Sequence, residues 1–318
     1  MFSYNQEAVR IIKENVLPRS EELRIGVQVL DNGATVIDMG INYPGSWNAA
    51  RYFVQIGLGG RGEVKYGKME IAGYLVPTIG VYVTRPVITE MSSHVAYWKL
   101  KYKDQSIVIS GPIRAIKAPD VFAQAVSYRE PHGEYGVAMI QTTELPGPDL
   151  ADLIAREAGV PAAKLYILAA GTGTIVGAVQ VAARNVEQTL PSLYDRGFKM
   201  NNIIQAFGIA PVVAIVSDEM EAYGRVNDCL IYGQETILWV DCEDGEIEKV
   251  LADLPFNKNS DVYGVPFKEL FARCGGSWAK VPRDWDAPAK VTFFNVRSGR
   301  SYATGSINNK VLLNDFWG

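Results

Sequence analysis

The chain has 318 residues, 48% hydrophobic and 21% charged, with a net charge of −4 and no low-complexity tract. That length suggests two domains or one large one, and a mildly acidic balance without a basic block argues against nucleic acid as the main partner. No apolar run reaches the ~18 residues that span a bilayer, and the first twenty residues lack the layout of a signal peptide, so a cytoplasmic protein without a membrane partner is expected.

Three widely spaced cysteines read as reduced thiols rather than a disulfide framework. Two histidines, His94 and His132, are too few for a histidine-built metal site. In chain order, Asn5–Glu14 has the spacing of an amphipathic helix. "LRIGVQVLDNGATVIDMG" follows, alternating apolar residues around Asp31-Asn32-Gly33, a hairpin signal. "SWNAARYFVQIGL" reads as a helix with Ser46 as its N-cap. "GEVKYGKMEI", "VPTIGVYVTRP" and "SIVIS" read as strands, and "GPIRAIKAPDVFAQAVSY" as one helix. A strand "EYGVAMIQTTE", a helix "PDLADLIAREAG" and a strand "AKLYILAA" come next. One helix is then expected over "GAVQVAARNVEQTL", residues 177–190, with late strands at "TILWVDCED" and "KVTFFNVRSG". Helices and strands mix without strict alternation, which predicts an α+β fold in two subdomains.

Several motifs admit a functional and an ordinary reading. "GLGGRG" at 57–62 follows a helix and precedes a strand, the reverse of a dinucleotide fingerprint, so a tight turn is the simpler reading. Gly171-Thr174 stands between a strand and a helix, where free N–H groups could hold an anion or be capped by a threonine. At helical spacing, Ile175, Val179, Ala182, Val186 and Leu190 form a core stripe. Gln180, Arg184 and Glu187 fall on another, beside Gly177. A solvated ion pair is the plain reading of that face; a catalytic pair looking into a pocket is the sharper one. In a partly buried setting, desolvation favours a protonated carboxyl and a guanidinium favours an ionised one, the balance a general base needs. "YGRVNDCLIYGQ" at 223–234 sets Arg225, Asn227 and Asp228 between glycines, suiting a ligand or a turn equally. His94 beside Ser93 is not a spaced triad.

Together, "NGATVIDMGINYPGS" (32–46), "IGLGGRG" (56–62), "SGPIRA" (110–115), "GAVQVAARNVE" (177–187), "YGRVNDCLIYG" (223–233) and "DVYGVPFKELF" (261–271) resemble the methenyltetrahydromethanopterin cyclohydrolase family of one-carbon metabolism. They run in order over nearly the whole chain. The family more often has threonine where this chain has Val226, Ser-Gln-Tyr-Ala-Gly-Trp where it has Ser93–Trp98, and a glutamate at Gln141. The resemblance implies two α+β subdomains with a ligand pocket between them, a homotrimer, and no metal or redox cofactor. Residues 1–100 with 260–318 are expected to form the first subdomain and 101–259 the second. The implied reaction interconverts the 5,10-methenyl cation and the 5-formyl form of tetrahydromethanopterin, a pterin with a phosphate tail. Arg184 and Glu187 match the family's proposed catalytic pair. Asn32, Ser46, Gln141, Gln180, Arg225, Asn227 and Asp228 are expected to line the pterin pocket, and Arg114, Arg225 or the Gly171–Thr174 helix start to hold the phosphate. Two readings stay open beside it: a nucleotide-dependent oxidoreductase using the Gly171–Gly177 loop, and a pterin-binding paralogue without turnover.

Overall fold

The computed structural model describes residues 2–130, 133–254, 262–282, 285 and 287–317. His132 and the first residue of "DVYGVPFKELF" lie outside them. The chain folds as α+β, around two six-stranded mixed sheets. One compact unit comprises Met1–Glu63 and Ile88–Gln180, the other Val64–Val87 and Val181–Gly318. This division differs from the expected one, because the hairpin of residues 64–87 pairs with a strand near residue 207 and so joins the second half of the chain.

In the first unit the strands are β1 (Gly26–Val29), β2 (Thr35–Asp38), β5 (Trp98–Tyr102), β6 (Gln105–Ser110), β7 (Gly136–Gln141) and β8 (Leu165–Ala170). Their order is β1-β2-β8-β7-β6-β5, with β2, β8 and β7 parallel. β1 and β2 form the expected hairpin, with Gly33 at φ +84° in the turn. The unit's helices include α1 (Tyr4–Ile11), which runs on as a wider turn to Val16, then α2 (Ser20–Leu23) and α3 (Trp47–Gly57). Next come α4 (Arg114–Lys117), α5 (Val121–Ala125) and α6 (Pro148–Ala158). Ile154 and Ala151 of α6 pack with Ile109, Ala138, Ile140 and Ile167 of the sheet in one buried cluster. Each isoleucine side chain withdrawn from water contributes about 2 kcal/mol.

The single helix expected over residues 111–128 is two short ones. Ala118 precedes Pro119, whose ring disfavours a right-handed helical residue before it; Ala118 sits at φ +45°. Asp120 then opens α5, its carboxylate accepting from the N–H groups of Phe122 and Ala123.

In the second unit β3 (Gly62–Ile71), β4 (Tyr74–Val83), β9 (Ile203–Pro211), β10 (Glu235–Val240), β11 (Lys290–Asn295) and β12 (Ser301–Gly305) follow the order β12-β11-β10-β9-β4-β3. Only the β10–β11 pair is parallel among the registers described. Helix α7 (Ile175–Ala182) crosses the division of the chain. Beyond it lie α8 (Asn185–Asp195), α9 (Glu219–Gly233), α10 (Asp244–Leu251), α11 (Phe267–Arg273) and α12 (Asn309–Trp317). α8 packs on β9 and β10, and α9 on β9, α11 and α12.

Candidate active site

Parallel strands present their carboxyl ends on one side, the usual place for a ligand in such sheets. In the first unit β2, β7 and β8 end there in Asp38, Gln141 and Ala170. Asp38 is buried; its carboxylate accepts from the backbone N–H groups of Gly40 (3.1 Å), Ile41 (2.7 Å) and Asn42 (2.8 Å). That holds the 39–46 loop against the next one: a Cβ on Gly40 would lie 2.6 Å from Thr174 Oγ1. Asp38 carries no motif of its own, and sequence reasoning missed it.

The Gly171–Thr174 turn is closed by its own threonine. Thr174 Oγ1 donates to the Gly171 carbonyl (2.8 Å) and accepts from Gly177 N–H (3.0 Å), which is ordinary capping. Gly177 does not leave open room: a Cβ there would sit 2.0 Å from the Gly171 carbonyl oxygen, so two backbones meet at that point. Beside this turn the Gln141 amide donates to Thr172 Oγ1, and Gln180 Nε2 donates to Gln141 Oε1 (3.1 Å). Gln141 is exposed while Thr172 and Gln180 are buried, so the Gln141 amide links two buried polar side chains at the surface. Gln141 and Gln180 are thus brought together as expected residues, and Thr172 joins them.

The single helix expected over residues 177–190 is broken after Ala182, and Asn185 is the cause. Its Nδ2 donates to the Ala182 carbonyl (2.8 Å) and its Oδ1 accepts from Val186 N–H (2.9 Å). The side-chain amide has inserted itself into the backbone bond that would join residues 186 and 182. The same amide reaches Ile79 O on β4 (3.5 Å), and Gly208 of β9 is bare beneath it: a Cβ there would fall 2.0 Å from Asn185 Oδ1. Thr189 and Thr236 both donate to the Asn185 carbonyl, at 3.0 and 3.2 Å. The start of α8 is therefore clamped to the second sheet by polar contacts.

Arg184 occupies the position before α8, and Glu187 its first turn. Their side chains meet at 3.2 Å, Nη1 to Oε2, each 12% exposed. This is neither a solvated surface pair nor a sealed one. Desolvation strengthens charge interactions there while leaving the carboxylate an edge to solvent.

The other expected residues are placed as follows. Asn32 serves the hairpin, accepting from Ala34 N–H and donating to Pro148 O and Asp152. Ser46 caps α3, accepting from Ala49 N–H at 3.0 Å. Arg114 is fully buried; its guanidinium binds Asp120 Oδ2 at 2.6 and 3.1 Å and the carbonyls of Met91 and Ser93. Arg225, Asn227 and Asp228 lie on a helix, α9, rather than in a turn; Gly224 is needed there because Lys268 Cβ lies 2.9 Å from where its Cβ would be. Asn227 donates to Tyr223 O within the helix, Arg225 pairs with Glu221 at 2.9 Å, and Asp228 accepts from Phe267 N–H at the start of α11. Val226 is buried in the same helix. His94 is a core residue, its Nδ1 2.8 Å from Glu90 Oε2. Among the described residues, no group of three or more His, Cys, Asp or Glu is placed to hold a metal ion, and no helix is long and apolar enough to cross a membrane.

A profile of the family described as Cyclohydrolase (MCH) matches residues 3–316. The methenyltetrahydromethanopterin cyclohydrolase of Methanococcoides burtonii is 33% identical, covering 99% of this chain and 98% of its own. Those of Methanocaldococcus jannaschii and Methanothermobacter thermautotrophicus are 32% and 30% identical, covering 98% and 99% of this chain and 97% and 99% of theirs.

Proposed function

The chain belongs to the cyclohydrolase (MCH) family, and on that premise we propose that it is a hydrolase of a cyclic amidine, converting 5,10-methenyltetrahydromethanopterin and water to the 5-formyl derivative. The observation that supports a chemical role for particular residues is the largely buried Arg184–Glu187 pair at the clamped start of α8. A water positioned on the electrophilic methenyl carbon loses a proton to the Glu187 carboxylate as its oxygen bonds to that carbon. The product is a neutral carbinolamine. Its C–N10 bond then breaks while N10 takes a proton from the Glu187 carboxyl, and the hydroxyl proton leaves as the formyl C=O forms. One proton is released per turnover, matching the loss of the substrate's positive charge. One carboxylate that takes and returns a proton serves both steps, and its charge suits a cationic substrate. Arg184 would hold that carboxylate in one orientation through its planar fork.

For the pterin edge we favour Gln141 and Gln180, whose amides already form a polar chain with Thr172. Amides in that role reject analogues that leave them unpaired. Glutamine at position 141, where the family more often has glutamate, keeps an acceptor and gains a donor, and is expected to shift pterin preference. Neither arginine expected for the phosphate tail offers an anion an open fork. Arg114 is bound to Asp120 and two carbonyls, and Arg225 stands beside Glu221. We assign the tail to neither.

The test is hydrolysis of methenyltetrahydromethanopterin by the purified chain without added nucleotide or metal, followed through loss of the substrate's absorbance. Turnover that disappears in Glu187→Gln supports the assignment. Binding without turnover in the native chain would show the paralogue instead, and activity only with added nucleotide would show the oxidoreductase.

A further inference from the structure

We infer that Asp38 is a positioning residue for substrate binding: its carboxylate fixes the 39–46 loop, the loop sets the start of α7, and α7 presents the Gln180 amide. The inference rests on the reading of Gln141 and Gln180 as the pterin edge. Asp38 closes β2, beside Ala169 of the parallel strand β8. It is 2% exposed. Oδ1 accepts from Gly40 N–H at 3.1 Å and Ile41 N–H at 2.7 Å, and Oδ2 from Asn42 N–H at 2.8 Å. A buried carboxylate is costly unless its oxygens are satisfied, and three N–H donors from one loop satisfy them. The loop's tip, Asn42 to Pro44, is exposed, so little packing from outside shapes it.

The loop lies on the first turn of α7 at two points. A Cβ on Gly40 would lie 2.6 Å from Thr174 Oγ1, and one on Gly45 would lie 2.9 Å from Val176 Cγ2. Both ends of the loop are tied. Met39 N–H donates to Ala169 O at 2.9 Å, and Gly45 N–H, at φ +64°, donates to Arg24 O at 3.0 Å. Backbone packed this closely transmits strain, so a displaced loop moves Thr174 or Val176. Gln180 stands four residues after Val176, on the same face of α7. Its Nε2 donates to Gln141 Oε1 at 3.1 Å. Gln141 is held from its own side, where Thr142 N–H donates to Ala170 O at 3.0 Å.

The residues assigned to the chemistry have a separate anchor. Arg184 and Glu187 belong to the start of α8, which Asn185 clamps to the second sheet through Ile79 O. Asp38 therefore governs how tightly the pterin is bound and not how fast a bound pterin reacts. A carboxylate that served the fold alone would have no such preference for binding.

The experiment is isothermal titration of the intact chain with 5-formyltetrahydromethanopterin, beside steady-state hydrolysis of methenyltetrahydromethanopterin. The native chain, Asp38→Asn, Gln180→Ala and the double variant are compared. An amide keeps one acceptor oxygen and turns an NH2 group toward a backbone N–H, so it cannot hold all three donors. Asp38→Asn is expected to raise Kd and KM about tenfold, the loss of one hydrogen bond to the pterin. Its kcat is expected to stay within about twofold of native. Gln180→Ala should weaken binding similarly, and the double variant should be at most about twofold weaker than Gln180→Ala, because both changes act on one contact. If Asp38→Asn does not fold, Gly40→Ala takes its place with the same expected pattern, since its methyl presses on Thr174 and leaves the carboxylate alone. Additive losses in the double variant would overturn the proposal, as would a fall in kcat equal to the rise in KM. So would native Kd in Asp38→Asn when Gln180→Ala binds weakly. Native Kd in Gln180→Ala would overturn the pterin-edge reading and the proposal with it, and so would a native chain that binds no pterin. Binding without turnover in the native chain would overturn the cyclohydrolase reading alone, because the titration still decides the role of Asp38.

Discussion

Arg114 with Asp120 and Arg184 with Glu187 are both arginine–carboxylate pairs, one in each unit, and the folded chain treats them differently. The first has no exposed arginine surface and touches two backbone carbonyls besides its carboxylate; Asp120 in turn caps α5. The second meets at 3.2 Å with both side chains 12% exposed, at a break between two helices. A guanidinium that spends its donors on main chain holds the fold together, whereas one beside a partly solvated carboxylate leaves that carboxylate in reach of solvent, as the proposed chemistry requires. Burial and the neighbouring carbonyls make that difference, since the residue types are the same.

The largest effect should come from breaking the sealed pair. Arg114→Ala leaves Asp120 buried without its cation and is expected to destabilise the fold by about 3–5 kcal/mol. Chemical denaturation would read it. A variant of native stability with a raised KM would instead move Arg114 to the substrate.

Glu187→Gln reverses the pattern: turnover should fall by ~10² or more while the unfolding midpoint stays near native. A near-native rate would make the second pair as structural as the first. Arg184→Ala should lower turnover about thirtyfold, the loss of one charge-assisted contact. Lysine should restore only part of it, because an ammonium lacks the planar fork. Full rescue by lysine would mean that charge alone matters there.

Gly208→Ala sharpens the comparison from a distance. The added methyl would collide with Asn185 Oδ1 and push the start of α8 off its sheet, costing about 1–2 kcal/mol. Turnover should drop further than stability explains, because Arg184 and Glu187 flank the displaced residue. Matching losses in both would detach the clamp from the chemistry.

A carboxylate lacking an ion pair of its own gives the smallest effect. Asp315 is raised from 3.8 to about 7 by burial, so the folded chain holds its proton longer than the unfolded chain does. Its contribution to stability is full below about pH 4, declines as pH rises toward 7, and is gone above that. Asp315→Asn should flatten that decline, by roughly 1 kcal/mol once solvent screening is allowed for. A thermal-melt series across that range measures it, and an unchanged slope would show that Asp315 titrates normally.

Local rules carried much of this protein. The Asp31–Gly33 hairpin, the Ser46 cap on α3 and the Pro148-to-Gly159 limits of α6 all depend on contacts within a few residues, and all are present. The ordered motifs across the chain also sufficed to indicate the family. Tertiary structure decided the rest. The break before α8 needs Asn185 to find Ile79 O and a bare Gly208, on strands that only the folded sheet brings beside it. Arg225–Asp228 became helical where glycines suggested a turn, because Lys268 and Pro211 fill the space that side chains at Gly224 and Gly233 would take. Arg114 went to the interior because Asp120 and two carbonyls from residues 91 and 93 surround it. Spacing along a chain fixes which groups share a face, but a charge's environment depends on what packs over that face, often from residues a hundred positions away.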